Sequence, residues 1–408
     1  MPLLLLLACT GAPVDTVDPA DTALPDTTDT PCGTRPVVDL DQPDAGFLFT
    51  GASPTVFDMC IDLDDASIAA LTTEPKSYTP ATLTFGGETW TVGLHLKGSE
   101  SGSFRTLDEK ASFKIKLSEY DPEQRFYGRK RLTLNSMIQD GSMLSEHVSY
   151  FLFDAAGVPS PLHGYTNVYV NGELFGLYGV AETMDEELLN RLFPDTSDGT
   201  LYEGGYGADL YNGRTDEFTV QESPDATDTS DLDALIAAVE AAEGGDVYGM
   251  LGTWFERDAL LAMWAVELVT SGQDAYTTAG NNYLLYHATP DARWTMLPWG
   301  ADQAFWRYDS APVIDVRGAL EGRLGELCRA DAACSDALDD AIRQALTTWE
   351  DADVPAYAAS TAAAIEDDCF ADPRSSWGSY GCLTAQEETL AWIAARPDIV
   401  RGQLEAAR

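Results

Sequence analysis

Positive charge is what this chain has least of. Of its 408 residues 24 are Lys or Arg against 67 Asp or Glu, a formal charge of −43 at pH 7. That balance argues against a nucleic-acid or anionic-lipid partner, both of which call for cationic surface. Histidine is scarce too, at four, and no Cys-x-x-Cys pair occurs, so the spacing of a zinc site is missing. Beyond residue 9 no apolar run approaches the ~20 residues needed to span a bilayer. No basic segment precedes the short apolar start at residues 1–8, although a secretory leader would ordinarily carry one. No internal repeat is found. What is present, 45% hydrophobic residues with nine tryptophans, is enough for a sizeable core, and the length suits two domains or one two-lobed one.

The N-terminus reads MPLLLLLA followed by Cys9, which looks like the end of a bacterial lipoprotein signal with Cys9 as the lipidated residue. Residues 10–35 are rich in Asp, Thr and Pro, too polar to form a core, and are expected to be a disordered tether. These features place the protein outside the cytoplasm, attached to the envelope only through a lipid on Cys9. The six remaining cysteines are an even number, as in exported disulfide proteins, and sequence proximity suggests Cys32–Cys60, Cys328–Cys334 and Cys369–Cys382.

Residues 36–193 are sheet-rich. VFDMCIDL, the pair around Gly86-Gly87, ASFKIKLSEY and KRLTLNS all read as strands, and Asn171-Gly172 marks a type I′ hairpin. A helix is expected over 142–156 and a short one over 184–193. Residues 194–231 are polar and Gly/Asp-rich and read as a hinge or long loop, with Leu201-Tyr202-Glu203 a further strand candidate. The segment 232–408 is helix-rich, interrupted by a hairpin over 281–299.

Five of the six lysines, Lys97, Lys110, Lys114, Lys116 and Lys130, fall in one short stretch. With four arginines they outnumber the six acids there, so the segment is a cationic island in an acidic chain. Such an island implies a local anion, phosphate first; a solvated face balancing nearby acids would look the same on charge alone. The Gly/Ser loop starting at Lys97-Gly98-Ser99 could offer backbone N–H groups to phosphate. Glu146, on the helix at 142–156, could pair with a lysine. Asp274, Asn281, Asn282 and Asp302 offer oxygens of the kind Mg²⁺ takes beside a nucleotide, and Asp302 sits in the apolar frame LPWGADQAFW. Asp274 could equally end a helix in a turn. A hydrolase using paired carboxylates has no motif behind it.

The stretches LKGSESGSF, EKASFKIKL and NVYVNGELFGLYGVAETMDEELLNRLF, with the later NNYLLYHATPDARWTMLPWGADQAF, resemble the spore-coat CotH kinase family over roughly residues 90–310. The resemblance implies an α+β, two-lobed atypical protein-kinase-like fold, with a sheet-rich N-terminal lobe and a helix-rich C-terminal lobe. It implies ATP with Mg²⁺ or Mn²⁺ as cofactors and an extracytoplasmic acceptor protein as partner. Position by position it implies a nucleotide-binding set of Lys97, Lys110, Lys114 and Lys116. Within it Lys116 is favoured for the α/β-phosphates and Lys114 stays open. Glu146 becomes the lysine's partner, Asp274 the catalytic aspartate, Asn281 or Asn282 the metal-binding amide and Asp302 the metal carboxylate. Two departures stand out. The family's distal Trp-Asp-x-Asp is here Trp299-Gly300-Ala301-Asp302, and Lys97 stands where Arg is common. The first opens an alternative, a non-catalytic pseudokinase-like surface lipoprotein used for binding or adhesion.

Overall fold

The computed structural model describes residues 32, 45–49, 51–99, 102–289, 292–305 and 314–406. The signal remnant, Cys9 and the tether apart from Cys32 lie outside the described residues. Among the described residues, no helix is long and apolar enough to cross a membrane.

Seven strands form a closed barrel: β1 (Val56–Asp62), β2 (Thr79–Phe85), β3 (Glu88–Lys97), β4 (Ser112–Lys116), β5 (Arg131–Asn135), β6 (His163–Val170) and β7 (Glu173–Ala181). The order is β1-β2-β3-β4-β5-β7-β6, and the parallel pairing of β1 with β6 closes it. Alternation decides which side chains enter. Phe113 and Ile115 of β4 are fully buried, packed with Leu94, Leu96, Leu132 and Leu134, while Lys114 and Lys116 face outward. At the hairpin between β6 and β7, Asn171 and Gly172 both have positive φ, as a type I′ turn demands. Helix α1 (Asp65–Thr73), capped by Asp64, was not evident in the sequence pattern.

Helix α2 (Ser145–Ala155) follows β5, and α3 (Glu186–Leu192) follows β7. The segment 194–231, expected as a hinge or long loop with a strand candidate at Leu201-Tyr202-Glu203, contributes strands to a sheet, and that candidate is a strand. The segment holds β8 (Thr200–Gly204) and β9 (Phe218–Glu222), which join β10 (Tyr283–His287) and β11 (Trp294–Pro298) in a sheet of order β11-β10-β8-β9. The polar, Gly-rich surroundings leave little periodicity to read around β9, and the second partner of β8, β10, lies about eighty residues downstream. Helices α4 (Ser230–Ala241), α5 (Val247–Trp254), α6 (Arg257–Thr270), α7 (Tyr276–Ala279), α8 (Arg323–Ala330), α9 (Ala332–Asp351), α10 (Val354–Ala371) and α11 (Gly378–Glu405) build the rest around an extensive core that includes Trp264, Trp294 and Trp349. A sheet-rich first part and a helix-rich second part are therefore observed. All three expected disulfides, Cys32–Cys60, Cys328–Cys334 and Cys369–Cys382, are formed.

Candidate active site

The outer face of the barrel presents its polar rows toward the second sheet. In the β3–β4–β5 register, His95 lies opposite Lys114 and Lys114 opposite Thr133; Lys97 lies opposite Ser112, and Gly93 opposite Lys116. The rows at Lys97 and Lys114 border a cleft of about 570 Å³ whose other wall carries Glu203, Asp274, Asn281, Asn282, Trp299, Gly300 and Asp302. Lys116 is one strand repeat further along, roughly 6.6 Å away. It pairs with Glu119 at 2.7 Å instead of bordering the cleft. Lys110 is outside as well: its ammonium is buried against Asp372 at 2.6 Å and the Leu177 carbonyl at 2.7 Å. Of the four lysines expected at the phosphates, the structure thus brings Lys97 and Lys114 to the cleft and leaves Lys110 and Lys116 outside it. Alternation along β4 assigns a face and not a position along it, so it could not separate Lys114 from Lys116.

Glu146 meets Lys97, on β3, and not a lysine of β4. Asn135 links them, taking a hydrogen bond from Lys97 Nζ and donating one to Glu146 Oε2 at 3.0 Å. The Tyr150 hydroxyl donates to Glu146 Oε1 at 3.3 Å. Burial pulls the Lys97 ammonium below its ordinary range against the opposing pull of Glu146, and burial likewise pushes the Glu146 carboxyl up against the pull of Lys97. For both groups desolvation outweighs their mutual attraction, so an anion placed beside Lys97 would favour its charged form. Lys97 also lies 5.8 Å from the Trp299 ring centre.

The opposite wall is assembled by turns. Helix α6 ends on Ser271 in the left-handed region, and the chain turns back so that Gln273 N–H donates to the Gln303 carbonyl at 3.2 Å. The buried Glu267 carboxylate accepts from Thr277 N–H at 3.0 Å and holds the start of α7. Between these anchors Asp274 projects into the cleft. Its Oδ1 accepts from Asn281 Nδ2 at 3.1 Å and its Oδ2 from Asn282 Nδ2 at 2.9 Å. The β10–β11 hairpin returns Trp299 to Asn282, with the Trp299 N–H on the Asn282 carbonyl at 3.1 Å, which sets Gly300 and Asp302 beside the amides. Burial pushes the Asp302 carboxyl well up, helped by Glu146, Asp140 and Asp274 and opposed by Lys97.

Gly300 has φ +57, and its amide donates to the Tyr150 hydroxyl at 3.1 Å. A Cβ there would lie 3.1 Å from the Asn282 side chain. The Gly/Ser loop behaves differently from expectation. The N–H groups of Gly102, Ser103 and Phe104 all point to the Ser99 carbonyl, and Ser99 N–H is taken by the Ser103 hydroxyl at 2.9 Å. Those amides are spent within the loop, and Gly98, φ +129, is there because a Cβ would strike Phe104 backbone at 2.7 Å.

Glu203, Asn135, Tyr150 and His95 escaped the sequence reading. Asn135 had a usable signal: it follows Arg131 and Thr133 on the outward phase of β5. Glu203 is held by Gln221 Nε2 at 2.6 Å; burial raises its pKa and the charges of Lys114 and Lys97 oppose the rise. A second, smaller recess of about 150 Å³ shares His95, Lys114 and Trp299 with the cleft and continues to Thr133, Thr183 and Met184.

A profile of the CotH kinase protein family matches residues 94–342. The chain belongs to the CotH kinase family. The family match runs from within β3 into α9 and includes every cleft residue named above, so the kinase-like character rests on a segment that contains the cleft. An inner spore coat protein H-like protein of Bacillus subtilis is 34% identical over 74 residues, 18% of this chain. The match covers only 22% of that relative's length. A crystal structure of the Helicobacter pylori proinflammatory kinase CtkA aligns over 77% of this CotH-family chain and 98% of its own, at 9% identity and a TM-score of 0.34, a likeness too slight to build on.

Behind Glu146 lies a buried histidine pair. His163 Nε2 is 3.7 Å from Glu146 Oε2, His163 and His147 meet at 3.3 Å, and Tyr357 reaches His147 at 2.9 Å. Burial drives both imidazoles down to about 3, with the neighbouring His163 adding to the effect on His147. The folded state keeps them neutral where the unfolded chain protonates near pH 6.5. Their contribution to stability is full above that pH and is lost as pH falls, at up to about 1.4 kcal/mol per pH unit per histidine. The Tm gap between wild type and a His147→Gln/His163→Gln variant should therefore narrow from pH 7 to pH 5. A gap that stays constant would show that the pair is not held neutral.

Proposed function

We propose that this protein is an ATP- and Mg²⁺-dependent phosphotransferase that phosphorylates Ser or Thr hydroxyls of an extracytoplasmic protein. One observation carries this: in a chain of charge −43, two lysines of the barrel face three acids and two amides across a single cleft. Among the described residues no preformed cluster of metal-ligating side chains occurs. That fits a cation arriving with a nucleotide, because Mg²⁺ takes only one or two protein oxygens beside phosphates. Asp302 and the carbonyl oxygens of Asn281 and Asn282 would hold it, since the amide N–H₂ groups are turned to Asp274. Bound Mg²⁺ would supply charge neutralisation on the transferring phosphoryl group.

The chain's own residues do the positioning. Lys97 and Lys114 neutralise phosphate oxygens, and Glu146 with Asn135 fixes where the Lys97 ammonium sits. Asp274, oriented by two amide donors, accepts the proton of the acceptor hydroxyl. The recess at Met184, Thr183 and Trp299 is of a size to take part of a planar base. The disulfides support an oxidising, extracytoplasmic setting; attachment through a lipid on Cys9 belongs to the same reading.

A thermal-shift titration tests it. ATP with Mg²⁺ or Mn²⁺ should stabilise the protein by about 2.7 kcal/mol at a hundred times Kd, and phosphate transfer to a generic basic acceptor or to the protein itself should vanish in Asp274→Ala. Gly300, in place of the family's aspartate, favours the second reading, a non-catalytic pseudokinase-like surface lipoprotein used for binding or adhesion. No stabilisation of the folded protein by ATP with Mg²⁺ would select it and sink the phosphotransferase.

A further inference from the structure

The family match ends at residue 342, and helices α10 and α11 lie beyond it. They pack on each other and against β1, β7, α2 and α6. Some of their polar contacts lie elsewhere, as between Asp368 and Asn167 or Gln403 and Ile314, but those around the turn fall on segments that lead into cleft-bearing elements. At the turn between them, buried Asp372 receives Lys110 at 2.6 Å and Leu177 N–H at 3.1 Å. Gly176 leaves the room: a Cβ there would sit 2.2 Å from the Asp372 carboxylate. Arg374 donates to the carbonyls of Leu107 and Glu109 at 2.9 and 2.8 Å and lies 3.7 Å over the Phe175 ring. Together these two residues grip 107–110, the approach to β4 and Lys114.

The same hairpin grips the approach to Glu146. Trp377 Nε1 donates to the Ile138 carbonyl at 3.4 Å, its ring covers Gly141, and Gln386 donates to the Ser142 carbonyl at 3.3 Å. Tyr357 holds His147, the residue after Glu146, at 2.9 Å. Further along α11, buried Arg396 donates to the carbonyls of Val269 and Leu268 at 2.9 and 2.8 Å, at the end of α6 that leads to Asp274. The Cys369–Cys382 disulfide closes the turn that carries Asp372, Arg374 and Trp377.

We propose that the C-terminal hairpin is a disulfide-stapled brace, in which Asp372, Arg374 and Trp377 are positioning residues that fix the approaches to Lys114 and Glu146 and so set the geometry of the nucleotide cleft. The assignment of the cleft rests on the function proposed above; the mechanical coupling does not. A hairpin that only covered apolar surface would have no need of the contacts that Asp372, Arg374, Trp377 and Gln386 make, and these fall on both approaches to the cleft.

Hydrogen–deuterium exchange on the full chain separates the possibilities. In Cys369→Ser/Cys382→Ser, exchange over 107–116 and 136–146 should rise about tenfold while the β8–β11 sheet is unchanged. The Kd for Mg-ATP should weaken at least about fivefold, and Asp372→Asn should reproduce the 107–116 effect alone. The control Cys328→Ser/Cys334→Ser removes a disulfide remote from these contacts and should leave both segments protected. Unchanged exchange in the two segments, or a rise spread evenly over the molecule as in any loss of stability, overturns the brace. If wild type fails to bind Mg-ATP, the functional reading falls, and the exchange pattern still decides the brace.

Discussion

Lys97→Met is expected to lower nucleotide-dependent phosphate transfer by about 10²–10³-fold, the range seen when one preorganised charge is removed from a transition state. The reason lies in how Lys97 is held. Its ammonium is partly desolvated, fixed by Asn135, faced by Glu146 and backed by the Trp299 ring. Desolvation disfavours the charged ammonium, and phosphate oxygens would offset that cost. The folded protein should tolerate the change. Without Lys97 the buried Glu146, already pushed upward by burial, escapes by holding a proton, and Tm should move by no more than a few degrees. Transfer unaffected by Lys97→Met would remove Lys97 from the site.

The other lysines of the island should answer differently, which makes the series more informative than any one member. Lys114→Met should weaken nucleotide binding. Lys116→Met should do almost nothing, because its partner Glu119 is a partly exposed i,i+3 neighbour and such pairs contribute about 0–1 kcal/mol. Lys110→Met should cost stability, about 3–5 kcal/mol, since it strands a fully buried Asp372. Four lysines close in sequence thus sit in three settings: the cleft, a buried pair with Asp372 and a partly exposed pair with Glu119. Their clustering was legible as charge. Their division was not, because it depends on strand phase against a lobe and a C-terminal turn more than 200 residues away.

The barrel strands were legible because each half-buried strand alternates, as with Phe113 and Ile115 against Lys114, and because Asn171-Gly172 admits few turns. The closure was not: β1 pairs in parallel with β6, and no local pattern encodes a partner a hundred residues on. The site divides in the same way. Asp274, Asn281, Asn282 and Asp302 could be named together from their oxygen chemistry and family resemblance, and they meet in one wall. Glu203 could not, since it reaches the cleft only through the pairing of β8 with β10, opposite Leu284. The Gly/Ser loop misled for a physical reason. Small residues allow amides to face an anion, but they equally allow those amides to close on a carbonyl, here that of Ser99.

Asp302→Asn should separate function from stability with opposite signs. The Asp302 carboxyl is pushed upward first by burial and then by Glu146, Asp140 and Asp274. An acid whose folded pKa lies above its unfolded value destabilises the fold increasingly as pH rises from the unfolded pKa through the folded one. Asparagine has the same shape and no charge, so the nucleotide-free variant should melt at the wild-type temperature or a few degrees higher at neutral pH. Metal-dependent transfer should fall by about 10³-fold, as expected when several kcal/mol of charge neutralisation is lost. Gly300→Asp is the complementary change. It restores a carboxylate beside Asn282, but at φ +57 and with the new Cβ 3.1 Å from that amide, a conformation costing an L-residue about 1–2 kcal/mol. Its Tm without nucleotide should therefore drop, and the gain in Tm on adding Mg-ATP should grow. Both results together would mean that Asp302 is the carboxylate that sustains cation binding beside the amides and that the missing aspartate weakens the site without abolishing it. Transfer that survives Asp302→Asn would instead show that the cation, if one is used, is held elsewhere.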